Sequence, residues 1–240
     1  PRTSNLFQFV NDVLSLIHGK SVVGPRYNPN TGLFNHSERI KSNDVIIISG
    51  LHVLYSQVLC KKIDVTVFLQ VDETLHQYLQ LQKGAEYSDF LKINLLKDKS
   101  MEQLDKRKSD IQKYITPQKR EADVIFSLVP VNPDLLDCNK DTPLRLHVTL
   151  VNGIFYQPLA KLLIGVCNLH ININTSNKNG QVELDIEGEV DAEDLALSAR
   201  KIMPRMEELL GFQPKWKHNM EGVMQLIILA QISEVLEDRG

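Results

Sequence analysis

Apolar positions change their spacing along the chain, and each spacing predicts a different element. Near the start, Leu6, Phe9, Val10, Val13 and Ile17 recur at helical intervals, with Thr3 or Ser4 placed to cap the helix and Gly19 to end it, so residues 5–18 are predicted helical. Within 44–55 comes a run of β-branched residues, Val45, Ile46, Ile47 and Ile48. Such a run is too apolar for a strand with one wet face and predicts a central strand of a parallel sheet, covered on both sides. Ligands in such sheets sit beyond the carboxyl ends of the strands, which makes Ser49, Gly50 and His52 candidates for chemistry. A short helix is expected near 51–60. A second buried strand is predicted over 65–71, with Asp72 and Glu73 at a helix start, and a third over 123–129, ending at Pro130.

Beyond residue 140 the pattern becomes alternation. Residues 144–151, 169–174 and 181–187 alternate apolar with polar, as in His170, Ile171, Asn172, Ile173, Asn174, which predicts antiparallel strands with one wet face. Residues 177–180 are expected to turn the last two into a hairpin. Helices follow over 192–203, bent or ended by Pro204, and over 221–236. His147 and His170 are placed on neighbouring strands by this reading, more as surface or hydrogen-bonded histidines than as metal ligands.

The polar segments between these elements complete the outline. Residues 24–32, Gly-Pro-Arg-Tyr-Asn-Pro-Asn-Thr-Gly, are turn-forming throughout and read as a solvated loop whose short side chains can also line a ligand site. Residues 74–99 predict two short helices jointed at Gly84. Ser100 and Gln103 form a capping box for a helix carrying Met101, Leu104, Ile111 and Ile115, stopped by Pro117. Around that helix Lys97, Lys99, Lys106, Arg107, Lys108, Lys113, Lys119 and Arg120 are interleaved with Asp98, Glu102, Asp105 and Asp110. This mixture reads either as a solvated helix face or as a clamp for anionic phosphate. The expected architecture is α/β, with a parallel-sheet core over residues 1–140 and an α+β extension over 141–240 that shares or abuts its sheet.

Composition narrows the function. With 240 residues, 42% hydrophobic, the chain can bury a substantial core. A net charge of -3 argues against nucleic acid as the main partner, because phosphate neutralisation needs a basic surface. Cys60, Cys138 and Cys167 are scattered, without metal-binding spacing, which fits reduced thiols and a cytoplasmic protein. No metal site and no membrane partner are expected, since no apolar run is long enough to span a bilayer. The chain opens on Pro1, so it is expected to be a piece of a longer, multidomain protein.

Several short motifs, in order, carry a resemblance: Tyr27-Asn28 with Thr31-Gly32; Gly50-Leu51-His52; Arg107-Lys108-Ser109-Asp110 leading to Tyr114-Ile115-Thr116-Pro117-Gln118-Lys119; Ala122-Asp123-Val124-Ile125; then 144–148 through Gly153, and Gly222 through Gln225 to Ile232. Together they resemble the phosphoribulokinase and uridine kinase family, most closely the plant and cyanobacterial type of phosphoribulokinase, over nearly the whole chain. The resemblance implies a P-loop kinase-like fold. It also implies ATP-dependent phosphoryl transfer to a sugar or nucleoside hydroxyl, with magnesium-ATP as cofactor of a complete protein and a small-molecule phosphate or nucleoside as partner. Carried over residue by residue, it places Tyr27, Asn28, His52 and Arg107 at the substrate and Lys119 at the nucleotide. Catalytic residues stay unassigned.

This chain departs from the family pattern in parts that are present. No Gly-x-x-x-x-Gly-Lys-Ser/Thr cradle occurs in the 240 residues; in the family it lies upstream of the matched stretch, with the aspartate base. Ser49 stands where the family has an acidic residue, Pro29 where it has a histidine, and Asn94-Leu95-Leu96-Lys97-Asp98-Lys99 replaces an arginine-bearing lid. Leucines cannot stabilise transferring phosphate charge. Three readings stay open: an incomplete domain of a small-molecule kinase, inactive as this chain and without tight ATP binding; a degenerate binding or regulatory module; and an interaction domain, with a homodimer through the extension.

Overall fold

The computed structural model describes residues 6–28, 33–75, 109–135, 143–151, 156–176 and 180–237. The chain divides into two units, Pro1–Ile63 with Arg107–Glu121, and Asp64–Lys106 with Ala122–Gly240. Several expectations lie outside the described residues: the caps at Thr3 and Ser4, Pro29 and the Thr31-Gly32 pair, the joint at Gly84, the segment 94–99, the Ser100 capping box, Arg107, Cys138 and Gly153.

In the first unit, α1 (Leu6–Ile17) ends where Gly19 predicts. Gly19 takes φ 77°; its N–H donates to the Leu16 carbonyl at 3.0 Å and that of Lys20 to the Ser15 carbonyl at 2.9 Å. This paired closure uses the left-handed conformation that a residue without Cβ adopts freely. The Ser42 hydroxyl also donates to Leu16, at 2.6 Å. Next comes an antiparallel ribbon of β1 (Val22–Asn28) and β2 (Leu33–Ile40), running from the pair Val22 and Ile40 to the pair Asn28 and Leu33. The loop expected from residue 24 therefore begins later, since β1 continues through Asn28. Proline is tolerated at the edges of sheets, and a two-stranded ribbon has only edges; the register shifts between Pro25 and Tyr27, where the missing N–H interrupts the ladder. A 3₁₀ turn (Val53–Tyr55) and α2 (Gln57–Cys60) follow. Among the described residues, Val13, Leu16, Val22, Val53, Leu54 and Leu59 are the buried apolar side chains of this unit.

The run at 45–48 does not form the central strand expected from its residue types. It belongs to no strand among the described residues, and Val45 and Ile47 are 61% and 89% exposed. Branched side chains favour strands by packing on a pleated surface that neighbouring strands supply; the residue type alone does not build the ladder.

The second unit is a five-stranded mixed sheet in the order β3-β4-β5-β7-β6, built from β3 (Val67–Val71), β4 (Val124–Pro130), β5 (Leu144–Leu150), β6 (His170–Ser176) and β7 (Gln181–Glu187). The pair β3 and β4 is parallel and every other pair antiparallel, so the α/β class holds and the extension's strands join the predicted core strands in one sheet. Alternation in β7 aims Val182, Leu184 and Ile186 into the core. With Val124, Phe126, Leu146, Val148 and Leu150 they form one cluster with side chains of α3 (Tyr156–Gly165), α4 (Ala192–Ile202) and α6 (Asn219–Glu237); α5 (Met206–Leu210) adds Met206. Each such side chain contributes roughly 1.5–3 kcal/mol by leaving water.

The opposite, wet side of this sheet bears a row of polar residues at matched register, Gln70, Ser127, His147, Asp185 and Asn172. His147 and His170 are not on adjacent strands, because β7 lies between β5 and β6. His147 Nδ1 lies 2.8 Å from Asp185 Oδ1, His170 stands opposite Glu187, and Arg145 pairs with Glu187. Cross-strand carboxylates thus pair with His147 and with Arg145.

Candidate functional site

Where the helix carrying Ile111 and Ile115 was expected, the described residues form a π-helix (Ile111–Ile115) running directly into a 3₁₀ helix (Thr116–Glu121). The Thr116 N–H reaches back to the Ile111 carbonyl, closing the wide turn. Single π turns are rare and concentrate at functional sites. In the 3₁₀ segment the donor for the Tyr114 carbonyl would be the N–H of residue 117, but that residue is proline and has none. The Gln118 side chain supplies a donor instead, its Nε2 lying 2.7 Å from the Tyr114 carbonyl.

The same Nε2 donates to the Leu51 carbonyl at 2.9 Å, sixty-seven positions away in sequence. The Gly50-Leu51-His52 turn and the segment 114–119 are thereby joined by one buried amide. His52 is half-buried, and its Nδ1 is enclosed without a hydrogen-bond partner. Burial holds the imidazole below its ordinary value, so the ring is neutral at pH 7. Tyr55 stands edge-on to it, ring centroids 6.4 Å apart at 80°, and Tyr114 packs against Tyr55 at 6.3 Å. Lys113 Nζ lies 5.2 Å from the centre of the Tyr114 ring. Lys119, half-buried, is the residue after Gln118.

Of the predicted site residues, then, the structure brings His52 and the segment bearing Lys119 together. Tyr27 and Asn28 lie at the end of β1, with Tyr27 opposite Phe34 and Asn28 opposite Leu33. Arg107 lies outside the described residues. Ser49 is exposed and ends no strand, so the geometry that made it a candidate is not formed. Gln118, quoted only as part of a motif, is the residue that sequence reasoning passed over. Its signal was local: a proline deprives the carbonyl three residues earlier of a donor, and the next side chain is a long amide. Among the described residues no three of His, Cys, Asp and Glu come together as a metal site. A neutral imidazole nitrogen, two tyrosine rings and a lysine on a braced turn can hydrogen-bond and orient a polar ligand. Nothing in that set supplies a strong base.

Comparison with known proteins agrees with the motifs. Residues 1–133, more than half of the chain, match the Phosphoribulokinase / Uridine kinase family. A phosphoribulokinase of Synechocystis sp. is 29% identical over 164 residues, covering 66% of this chain and 46% of its own length. The chloroplastic phosphoribulokinase of Chlamydomonas reinhardtii is 29% identical over 154 residues, 64% of this chain and 39% of its own. The chain thus spans under half the length of these relatives. A solved phosphoribulokinase from Rhodobacter spheroides aligns at a TM-score of 0.49 and 13% identity, over 93% of this chain and 74% of its own. The matched stretch contains the braced Gly50-Leu51-His52 turn and the whole 114–119 segment, and the chain belongs to the phosphoribulokinase and uridine kinase family.

Proposed function

We propose that these 240 residues are a ligand-binding domain of a phosphoribulokinase-like small-molecule kinase, one that as this chain neither transfers phosphate nor binds ATP tightly. The observation that carries this reading is the buried, unpartnered Nδ1 of His52 on a turn braced by Gln118. An enclosed polar atom without a partner costs about 1–3 kcal/mol, and a ligand hydroxyl or phosphate oxygen would relieve that cost. The kinase family supports nucleotide and magnesium use by a full-length protein. In this reading Lys119 is assigned to the nucleotide, and Tyr27, Asn28, His52 and Arg107 to the substrate.

The departures at Ser49 and 94–99 and the absence of a phosphate cradle from the 240 residues support lost or incomplete catalysis. Calorimetry with magnesium-ATP and with ribulose 5-phosphate, alongside a coupled ATPase assay, tests the reading. Expected are no turnover and no ATP binding in the micromolar range. Micromolar ATP affinity overturns the inactive-domain reading, and His52→Ala with unaltered sugar-phosphate heat removes His52 from the site.

A homodimer through the extension belongs to the same reading. β6 is an edge strand whose residues, His170, Ile171, Asn172, Ile173, Asn174, Thr175 and Ser176, include no proline, lysine or acid to discourage pairing, and Ile173 is 45% exposed. An antiparallel match centred on Ile173 would set Asn172 opposite the second copy's Asn174. Light scattering should find a dimer that Ile173→Lys converts to monomer; a wild-type monomer at high concentration removes the idea. Among the described residues no helix is long and apolar enough to cross a membrane.

A further inference from the structure

Gln118 is 5% exposed and is the buried polar residue of the first unit among the described residues. Both of its amide hydrogens are directed at backbone carbonyls, Tyr114 on its own segment and Leu51 on the other. An amide that donates twice from one nitrogen fixes two chain segments at once, and truncation would take the side-chain donor away from both carbonyls. The Leu51 carbonyl belongs to the peptide linking Leu51 to His52. Holding that oxygen therefore sets the direction in which the His52 side chain leaves the backbone. Pro117 has no N–H to offer the carbonyl three residues earlier, and the Gln118 side chain donates to it.

We propose that Gln118 is a positioning residue, a clasp that orients the His52 imidazole against Tyr55 and keeps Lys119 beside the same turn. The inference rests on the reading of the His52 turn as a ligand site. It adds a residue for which the side-chain amide, and not charge, is the working group. A glutamate at this position would present oxygen to two carbonyl oxygens, and a methionine would keep the length while offering no donor.

The test is nuclear magnetic resonance of the whole chain. In the wild type the Gln118 side-chain amide hydrogens should exchange slowly with solvent, and the His52 ring protons should show contacts to the Tyr55 ring. In Gln118→Met the His52 to Tyr55 contacts should be lost, while backbone resonances of β5 and β7 stay in place. A folded Gln118→Met variant that keeps those ring contacts overturns the proposal. Should that variant not fold, the wild-type exchange decides: hydrogens exchanging at the rate of a free glutamine overturn the clasp, and protected ones support it. Titrating the wild type with ribulose 5-phosphate in the same spectra reads the ligand site separately. Unmoved His52 resonances there count against the proposed function and leave the clasp standing on its own measurements.

Discussion

Thr66 and Asp123 hold each other at the entrance to the parallel strand pair. The Thr66 N–H and hydroxyl both donate to Asp123 Oδ2, at 2.8 and 2.6 Å, and the Asp123 N–H lies 2.9 Å from the Thr66 hydroxyl. The Thr66 carbonyl in turn accepts from the backbone N–H of Asp123 and Val124. Parallel strands have no tight turn to set their register, so a knot of this kind fixes which residue of β3 meets which residue of β4. Asp123, quoted above within a family motif, therefore acts here on the fold.

Removing either partner strands the other. Thr66 is buried, and a hydrogen bond to a carboxylate contributes about 1.5–3 kcal/mol. Thr66→Val and Asp123→Ala should each lower unfolding stability by about that amount, and the double variant by less than the sum. Denaturant titration checks this; additive losses would show that the two side chains do not act as a pair.

Gly222 lets α6 pass close to the Lys217 backbone and the Leu195 side chain. A Cβ there would meet the Lys217 carbonyl oxygen at 2.1 Å and Leu195 Cδ1 at 2.4 Å. Alanine would gain about 1 kcal/mol of helix propensity, but the clash with backbone leaves no rotamer that relieves it. Gly222→Ala should be destabilising by roughly 1–3 kcal/mol net, read as a lower midpoint in thermal unfolding. An unchanged or raised midpoint would mean that α6 shifts freely.

The difference between these residues shows what the sequence could carry. Alternation in 144–150 and 181–187 was enough to place β5 and β7, because period-two burial is written residue by residue. Gly19 and Asp72 announced a helix end and a helix start through chemistry confined to one turn. The run 45–48 misled because its strand character depends on a neighbour that no local pattern names. Likewise, alternation located His147 and His170 but not the order of strands, so Asp185 as the partner of His147 was invisible. At the candidate site the motif around Gly50-Leu51-His52 was legible, whereas its brace joins Leu51 to Gln118, and no periodicity links positions so far apart.

Asp72 supplies a local test. Its Oδ1 accepts from the N–H of Thr74 at 2.9 Å and of Leu75 at 3.3 Å, and from the Thr74 hydroxyl. These bonds, the Thr74 hydroxyl first, hold its carboxyl below the usual range. A group with a depressed folded value stabilises above its unfolded value and loses that contribution as pH falls through the folded one. Asp72→Ala should thus cost about 0.5–2 kcal/mol at neutral pH, and the gap to wild type should close as the solution is made strongly acid. Unfolding at several pH values measures it; a gap that persists undiminished in acid would assign the loss to something other than the carboxylate.

His52 has the same sign from a different cause and at a higher pH. Burial lowers its folded value below the ordinary one of about 6.5, so on acidification the unfolded chain takes up the proton first. Stability is then full above about pH 6.5 and falls as pH drops from there toward the folded value, because protonation draws the chain toward the unfolded state. His52→Gln keeps a polar side chain without a titrating ring. It should therefore flatten the decline between about pH 7 and about pH 5 relative to wild type. Chemical unfolding across that range, with the His52 ring resonances followed in parallel, is the measurement. Equal slopes for wild type and His52→Gln would show that the imidazole is not held neutral by its enclosure, and with that the enclosed nitrogen on which the ligand site rests would be lost.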